Sequence, residues 1–314
     1  MKLIFSYSPL LWRGAGGEVK NKPMKVAGFT FVRNAIKYDY PIVEAIQSIL
    51  PICDEVVVAV GNSEDGTLEL IQSIQDPKIK IITTIWDDKL REGGKVLAVE
   101  TNKAFQAISK DVDWCFYIQG DECLHEKYLP IVQQAMKDYL NQPAVEGLLF
   151  DYKHFYGSYD YFAQSRRWYR KEIRVVRNQP QISSYKDAQG FRKAGRKLKV
   201  KQIPAEIYHY GWVKPPEGYK LKFRDFGKMY HENHENSEVA KETFEFTFDN
   251  AGTLIPFADT HPKVFQPRVE RMNWKLTFDP SKVSYQPSLK DKILGWIEKI
   301  TGYRMFEYKN YQKI

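Results

Sequence analysis

From Met24 to Gln119 short, continuous apolar runs alternate with stretches whose apolar residues recur at helical spacing, and this constrains the chain more than any other feature. VAGFTFV (26–32), EVVVAV (55–60), KIKIITT (78–84) and WCFYIQ (114–119) read as strands. YPIVEAIQSIL (40–50), DGTLELIQSI (65–74) and GGKVLAVETNKAFQAI (93–108) read as helices. Apolar runs without polar alternation are strands covered on both faces, and strands separated by helices pair in parallel through right-handed crossovers. The expected fold is therefore α/β, a doubly wound, mostly parallel sheet.

After about residue 144 the pattern changes to VEGLLFDYKHFYG (145–157), a basic-aromatic run from Arg166 to Arg177, and KLKVKQIPAEIYHYGW (197–212), which read as strands broken by polar loops. A helix is expected over 219–235. Residues 1–23 precede the first strand without an ordered signal-peptide pattern and are expected to be a disordered or non-native extension, with Met24 a plausible start. The chain thus divides into 24–145, an α/β half, and 146–314, an elaborated region of the same domain. LKDKILGWIEKI (289–300) carries Leu289, Ile293, Trp296, Ile297 and Ile300 on one helical face with lysines opposite, which reads as a helix docked on its own domain or lying on a membrane surface.

Composition narrows the function classes. Lys and Arg exceed Asp and Glu to leave a net charge of +8, which suits phosphorylated substrates, an anionic membrane surface or nucleic acid. No nucleic-acid-binding signature accompanies the charge, so nucleic acid is not expected as a partner. Three scattered cysteines, Cys53, Cys115 and Cys123, cannot build a disulfide framework or a four-ligand zinc site, and no apolar run reaches the roughly 18 residues of a membrane span. A cytoplasmic location follows as the expectation, with room for contact at the inner face of the membrane.

In an open α/β sheet ligands bind beyond the carboxyl ends of the strands. The loop after the second strand is GNSEDGT, in which Gly61 permits a tight turn and Ser63, Asp65 and Thr67 offer oxygens, either to a ligand or to cap the next helix. The loop after the fourth strand is QGDECLH, with Asp121 and Glu122 at a strand end, suited to a hard divalent cation that also takes substrate phosphates, or to capping the next helix. Arg166, Arg167 and Arg170 interleave with Trp168, cationic forks and aromatic faces that suit a phosphorylated or lipid-linked acceptor, or a solvated strand face. HENHE lacks the spacing of a zinc protease and reads as a charged helix end.

The two loops, in this order on this pattern, resemble the family 2 glycosyltransferases, nucleotide-sugar enzymes of the GT-A fold. FVRNAIKYDYPIVEAIQSILPICDEVVVAVGNSEDGT is similar to the family's opening and GGKVLAVETNKAFQAISKDVDWCFYIQGDE to its second block, which ends in a metal-binding Asp-x-Asp. The resemblance covers residues 24 to about 125. It implies that Arg33, Asn34, Gly61, Ser63, Asp65 and Gln119 line the donor site, that Asp121 and His209 hold Mg2+ or Mn2+, and that Asp187, or else Asp151, is the base. Arg166, Arg167, Trp168 and Arg170 would meet the acceptor. Two positions depart from the family: Val60-Gly61 stands where an acidic residue usually holds the nucleoside, and Gln119 stands for the first Asp of Asp-x-Asp. The implied activity is metal-assisted, inverting hexosyl transfer from a nucleotide-diphosphate sugar to a surface glycan or lipid-linked acceptor, as in cell-envelope polysaccharide synthesis. The departures keep open a catalytically degenerate GT-A-like protein that only binds nucleotide or glycan.

Overall fold

The computed structural model describes residues 23–314 except 88, 91, 167, 216–217, 219–220, 222–253 and 276–287. The helix expected over 219–235, the HENHE stretch, Arg167 and nearly all of the N-terminal extension lie outside the described residues.

Each apolar run of the first half forms a strand: β1 (Val26–Val32), β2 (Glu55–Gly61), β3 (Ile79–Thr84) and β4 (Trp114–Tyr117) pair in parallel in the order β4-β1-β2-β3. The crossovers contain α1 (Ile42–Ile49), α2 (Thr67–Gln72) and α3 (Lys95–Gln106). Alternation along β2 sends Val56, Val58 and Val60 into one core with Ile42, Ile46 and Ile49 of α1, and Val57 and Ala59 into a second core with Val96, Ala104 and Phe105 of α3. All seven residues of β2 are buried, as an uninterrupted apolar run requires. The three cysteines are buried free thiols.

The second half continues the same sheet with mixed strand directions. Beyond β4 come β8 (Lys171–Arg177), β6 (Gly147–Tyr156), β7 (Tyr161–Ala163) and β13 (Leu254–Pro256), each pair antiparallel. The 14-residue β12 (Lys199–Trp212) runs parallel to β6 and antiparallel to the short β5 (Glu122–Leu124). The sheet is therefore parallel on one side of β4 and mixed on the other, where the β8-β6-β7-β13 path is antiparallel and β12 pairs in parallel with β6. β9 (Ile182–Tyr185), β10 (Gly190–Lys193) and β11 (Arg196–Lys197) form a separate three-stranded sheet. α4 (Leu129–Asp138), α5 (Gln266–Glu270), α6 (Leu289–Thr301) and β14 (Gln312–Lys313), which pairs with β12, complete the described elements.

The QGDECLH loop is more than a capping turn. Glu122 starts β5, and the two-residue alternation turns Glu122 inward and leaves Asp121 at the strand's mouth.

Candidate functional site at the seam of the sheet

β12 lies between β6 and β5, so His209 faces His154 on one side and Glu122 on the other. This register brings Asp121 and His209 together, with His209 Nε2 3.8 Å from Asp121 Oδ2. Gly211 makes the approach possible: a Cβ there would lie 2.6 Å from Asp121 Oδ2 and 2.8 Å from His209 Nε2. The two sequence-expected metal residues, 88 positions apart, thus share one small space at the mouth of the seam.

The tautomer of His209 follows from its neighbours. His154 Nε2 lies 2.7 Å from the carbonyl oxygen of Tyr169, which can only accept, so this nitrogen donates. Burial, and then the neighbouring His209, hold His154 well below the usual imidazole range, so it is neutral and its Nδ1 is a lone pair. His209 Nδ1, 3.1 Å away, must donate to it. The remaining His209 nitrogen, Nε2, faces Asp121, and in the neutral ring with Nδ1 protonated it would be the ligating nitrogen. A carboxylate oxygen and an imidazole nitrogen 3.8 Å apart would fit a shared divalent cation, whose bonds run to about 2.1 Å each, once that nitrogen is unprotonated. Among the described residues no group of three His, Cys, Asp or Glu side chains gathers around a metal site.

A buried ion pair supports the floor. Arg174 forks both oxygens of Glu122 at 2.8 and 2.7 Å, and Tyr152 donates to the same carboxylate at 2.7 Å. Both side chains are essentially inaccessible. Burial works against the arginine's charge, and the Glu122 carboxylate outweighs it, holding the guanidinium well above its ordinary range. Sequence reasoning named Glu122 beside Asp121 and placed Arg174 in the basic run without pairing them, and it passed over His154.

Gln119 joins this network: its Nε2 donates to Tyr117 Oη at 3.3 Å and to the Ala188 carbonyl at 3.4 Å. That contact draws the β9–β10 turn, and Asp187 with it, to the strand end. Lys186 and Ala188, on either side of Asp187, both have left-handed φ (54° and 62°), so the turn's shape is imposed on residues that disfavour it. Behind it, Glu172 is buried with its Oε2 lacking a hydrogen bond, and burial foremost raises its carboxyl to about 8. Asp151 lies apart: it pairs with Lys171 and accepts from Gln202 Nε2 at 3.0 Å, three residues along β6 from His154, or roughly 10 Å of strand.

The expected donor loop is stapled to the end of β1. Asn34, at φ 55°, donates its backbone N–H to Ser63 Oγ at 3.0 Å and accepts the Glu64 N–H at 2.9 Å. Asp65 accepts the Lys37 N–H at 2.7 Å and the Thr67 hydroxyl at 2.5 Å. Asn34, Ser63 and Asp65 thus set the loop's shape, while Arg33 Nε donates to the Asn62 carbonyl at 3.1 Å with its guanidinium over the Trp86 ring. Gly61 is neutral for a steric reason, since a Cβ there would collide with the Trp86 indole. The indole nitrogen is buried without a hydrogen bond, a donor at the place where the family resemblance would put an acid.

Arg166 and Arg170 are engaged within the chain. Both pair with Glu298 of α6, at 2.7 and 2.9 Å, and Arg170 also forks Glu307 at 2.8 and 3.0 Å. Trp168 between them packs on His154, ring centres 4.9 Å apart. The tertiary structure therefore uses these arginines to seat the C-terminal helix and puts Trp168 beside the seam.

No family profile and no curated protein sequence matches the chain. Solved structures similar to parts of it include S. aureus TarS (16% identity over 65% of this chain and 39% of that one, TM-score 0.35). Another is 4-diphosphocytidyl-2C-methyl-D-erythritol synthase from Anaerococcus prevotii (11%, covering 62% and 94%, TM-score 0.39). A third is glucosyl-3-phosphoglycerate synthase from Mycobacterium tuberculosis, solved with Mn2+, UDP and phosphoglyceric acid (20%, covering 43% and 44%, TM-score 0.27). Superpositions at this level establish no activity for the chain, which spans well under half of the TarS chain.

Proposed function

We propose that the chain is a glycosyltransferase that uses a nucleotide-diphosphate sugar and Mg2+ or Mn2+, with Asp121 and His209 as the protein's metal ligands. The observation that supports this reading is their convergence beside Gly211, with the His154–Tyr169 chain orienting the His209 ring so that Nε2 faces Asp121. A divalent ion held there would offset the charge of a departing diphosphate. Asp187, drawn to Gln119 by its turn, would take the proton of the acceptor hydroxyl. The acceptor oxygen then bonds to the sugar carbon, and the bond to the diphosphate oxygen breaks with its electron pair on that oxygen. Attack from the face opposite the leaving group inverts the anomeric centre. Glu172, raised to about 8, keeps its proton at neutral pH and leaves the base role to Asp187. Trp168 beside the seam suits the face of a glycan or lipid-linked acceptor.

A second reading, a binding protein without turnover, is favoured by the Trp86 ring at Gly61 and by the engagement of Gln119 in internal hydrogen bonds. Thermal shift of the full chain against nucleoside diphosphates, with and without manganese, tests the first step, since a ligand that binds only the folded state raises stability by mass action. The expected result is a manganese-dependent shift lost in Asp121→Asn with the unliganded melting point nearly unchanged. Equal shifts in both proteins would remove Asp121 from the site. Release of nucleoside diphosphate from a nucleotide sugar on adding acceptor then separates enzyme from binder.

A further inference from the structure

α6 is seated by one face only. Leu294 is buried, and Glu298 pairs with Arg166, Arg170 and, at 3.8 Å, Arg304. Ser288 caps its start, accepting the Asp291 N–H at 3.1 Å, and Gly302 closes it at φ 67°. The opposite face carries Leu289, Ile293, Trp296 and Ile300, whose exposures are 75, 51, 65 and 63%. Intervals of four, three and four residues stack these side chains in one stripe. Phe306, just past the helix, is 81% exposed. Among the described residues, nothing covers this stripe.

We propose that this face of α6 docks on the surface of an anionic lipid bilayer, with the helix lying in the interface plane. Charge complementarity selects this occupant. At 100° per residue Lys292 and Lys299 flank the stripe on one side and Lys290 on the other, all exposed, while the acidic Glu298 points to the arginines that seat it. Lysines beside an apolar stripe can extend to lipid phosphates while their stems lie along the acyl boundary, and a tryptophan suits that boundary. A second copy fits less well, because packing two such stripes together sets one lysine border against another. At 13 residues the helix is about 20 Å long, too short to span a bilayer. The inference stands independently of the chemistry at the seam.

The test is co-sedimentation of the full chain with large vesicles of phosphatidylcholine, with or without one-third phosphatidylglycerol. Binding to the anionic vesicles is expected, weakening by about tenfold or more on pure phosphatidylcholine and as salt rises. Ile293→Ser with Trp296→Ser should weaken binding by about tenfold or more, with an unchanged circular dichroism spectrum and melting point. Lys292→Glu with Lys299→Glu should abolish the preference for phosphatidylglycerol. Trp296→Phe should keep binding and, by loss of its blue-shifted emission, show whether this side chain enters the lipid. Wild-type protein left in the supernatant with anionic vesicles would overturn the proposal, as would equal binding by the Ile293→Ser/Trp296→Ser variant. A wild-type dimer in analytical ultracentrifugation that the same variant abolishes, without vesicle binding, would assign the face to a second copy instead.

Discussion

The two sides of β4 belong to one sheet and are stabilised in different ways. On the β1–β3 side, valines and isoleucines pack against α1 and α3, and the polar staples sit in loops. On the β6–β8–β12 side the interior holds Arg174 with Glu122, His154 with His209, the buried Glu172 and a cluster of stacked rings such as Tyr210 on Phe265, 3.8 Å between centres. The first arrangement tolerates small changes of volume. The second depends on every partner, because a polar group buried without one loses its hydration with nothing in return.

Removing Arg174 should show this contrast most strongly. Arg174→Met strands the Glu122 carboxylate among apolar and aromatic groups and should cost about 3–5 kcal/mol in urea unfolding, with much of the loss recovered in Arg174→Met/Glu122→Gln. A cost under about 1 kcal/mol would dissolve the distinction between the two sides.

A pH series sharpens it. Glu172 binds its proton more tightly in the folded chain, about 8, than in the unfolded one, about 4.3, so its contribution is fully present below pH 4 and is lost as pH rises through 8. Glu172→Gln should remove that decline and be more stable than wild type at pH 9 by roughly 2–4 kcal/mol. Identical pH profiles for the two proteins would show that Glu172 is ionised throughout.

His154→Phe keeps a ring against Trp168 but frees the His209 tautomer. It should weaken manganese binding in the presence of a nucleoside diphosphate by about 10–100-fold, with stability altered far less than in Arg174→Met. An unchanged manganese titration would mean that His209 needs no orienting partner. Ile46→Val, in the aliphatic half, should cost only about 0.5–1.5 kcal/mol and leave both the pH profile and nucleotide binding as in wild type.

The aliphatic side was legible in order and type: all four strands and all three helices read from periodicity lie where expected, because each run's environment, two covering layers, is written in its own residues. Asp121 was legible as a strand-end carboxylate for the same reason. His154, Arg174, Glu172 and Gly211 were not, since each acquires its role from a neighbour distant in sequence. Arg166 and Arg170 read as a ligand-facing patch or a solvated strand face, and their pairing with Glu298 and Glu307, more than 100 residues on, was not legible.

What the sequence by itself determined is the parallel α/β half and the amphipathic stripe of α6, both properties of short-range periodicity. Only the tertiary structure decided which way the stripe faces, and which polar residues meet at the seam. Those follow from strand register: β12 pairs with β6 and β5 at once, and a shift by one residue would turn His209 to the other face and away from Asp121.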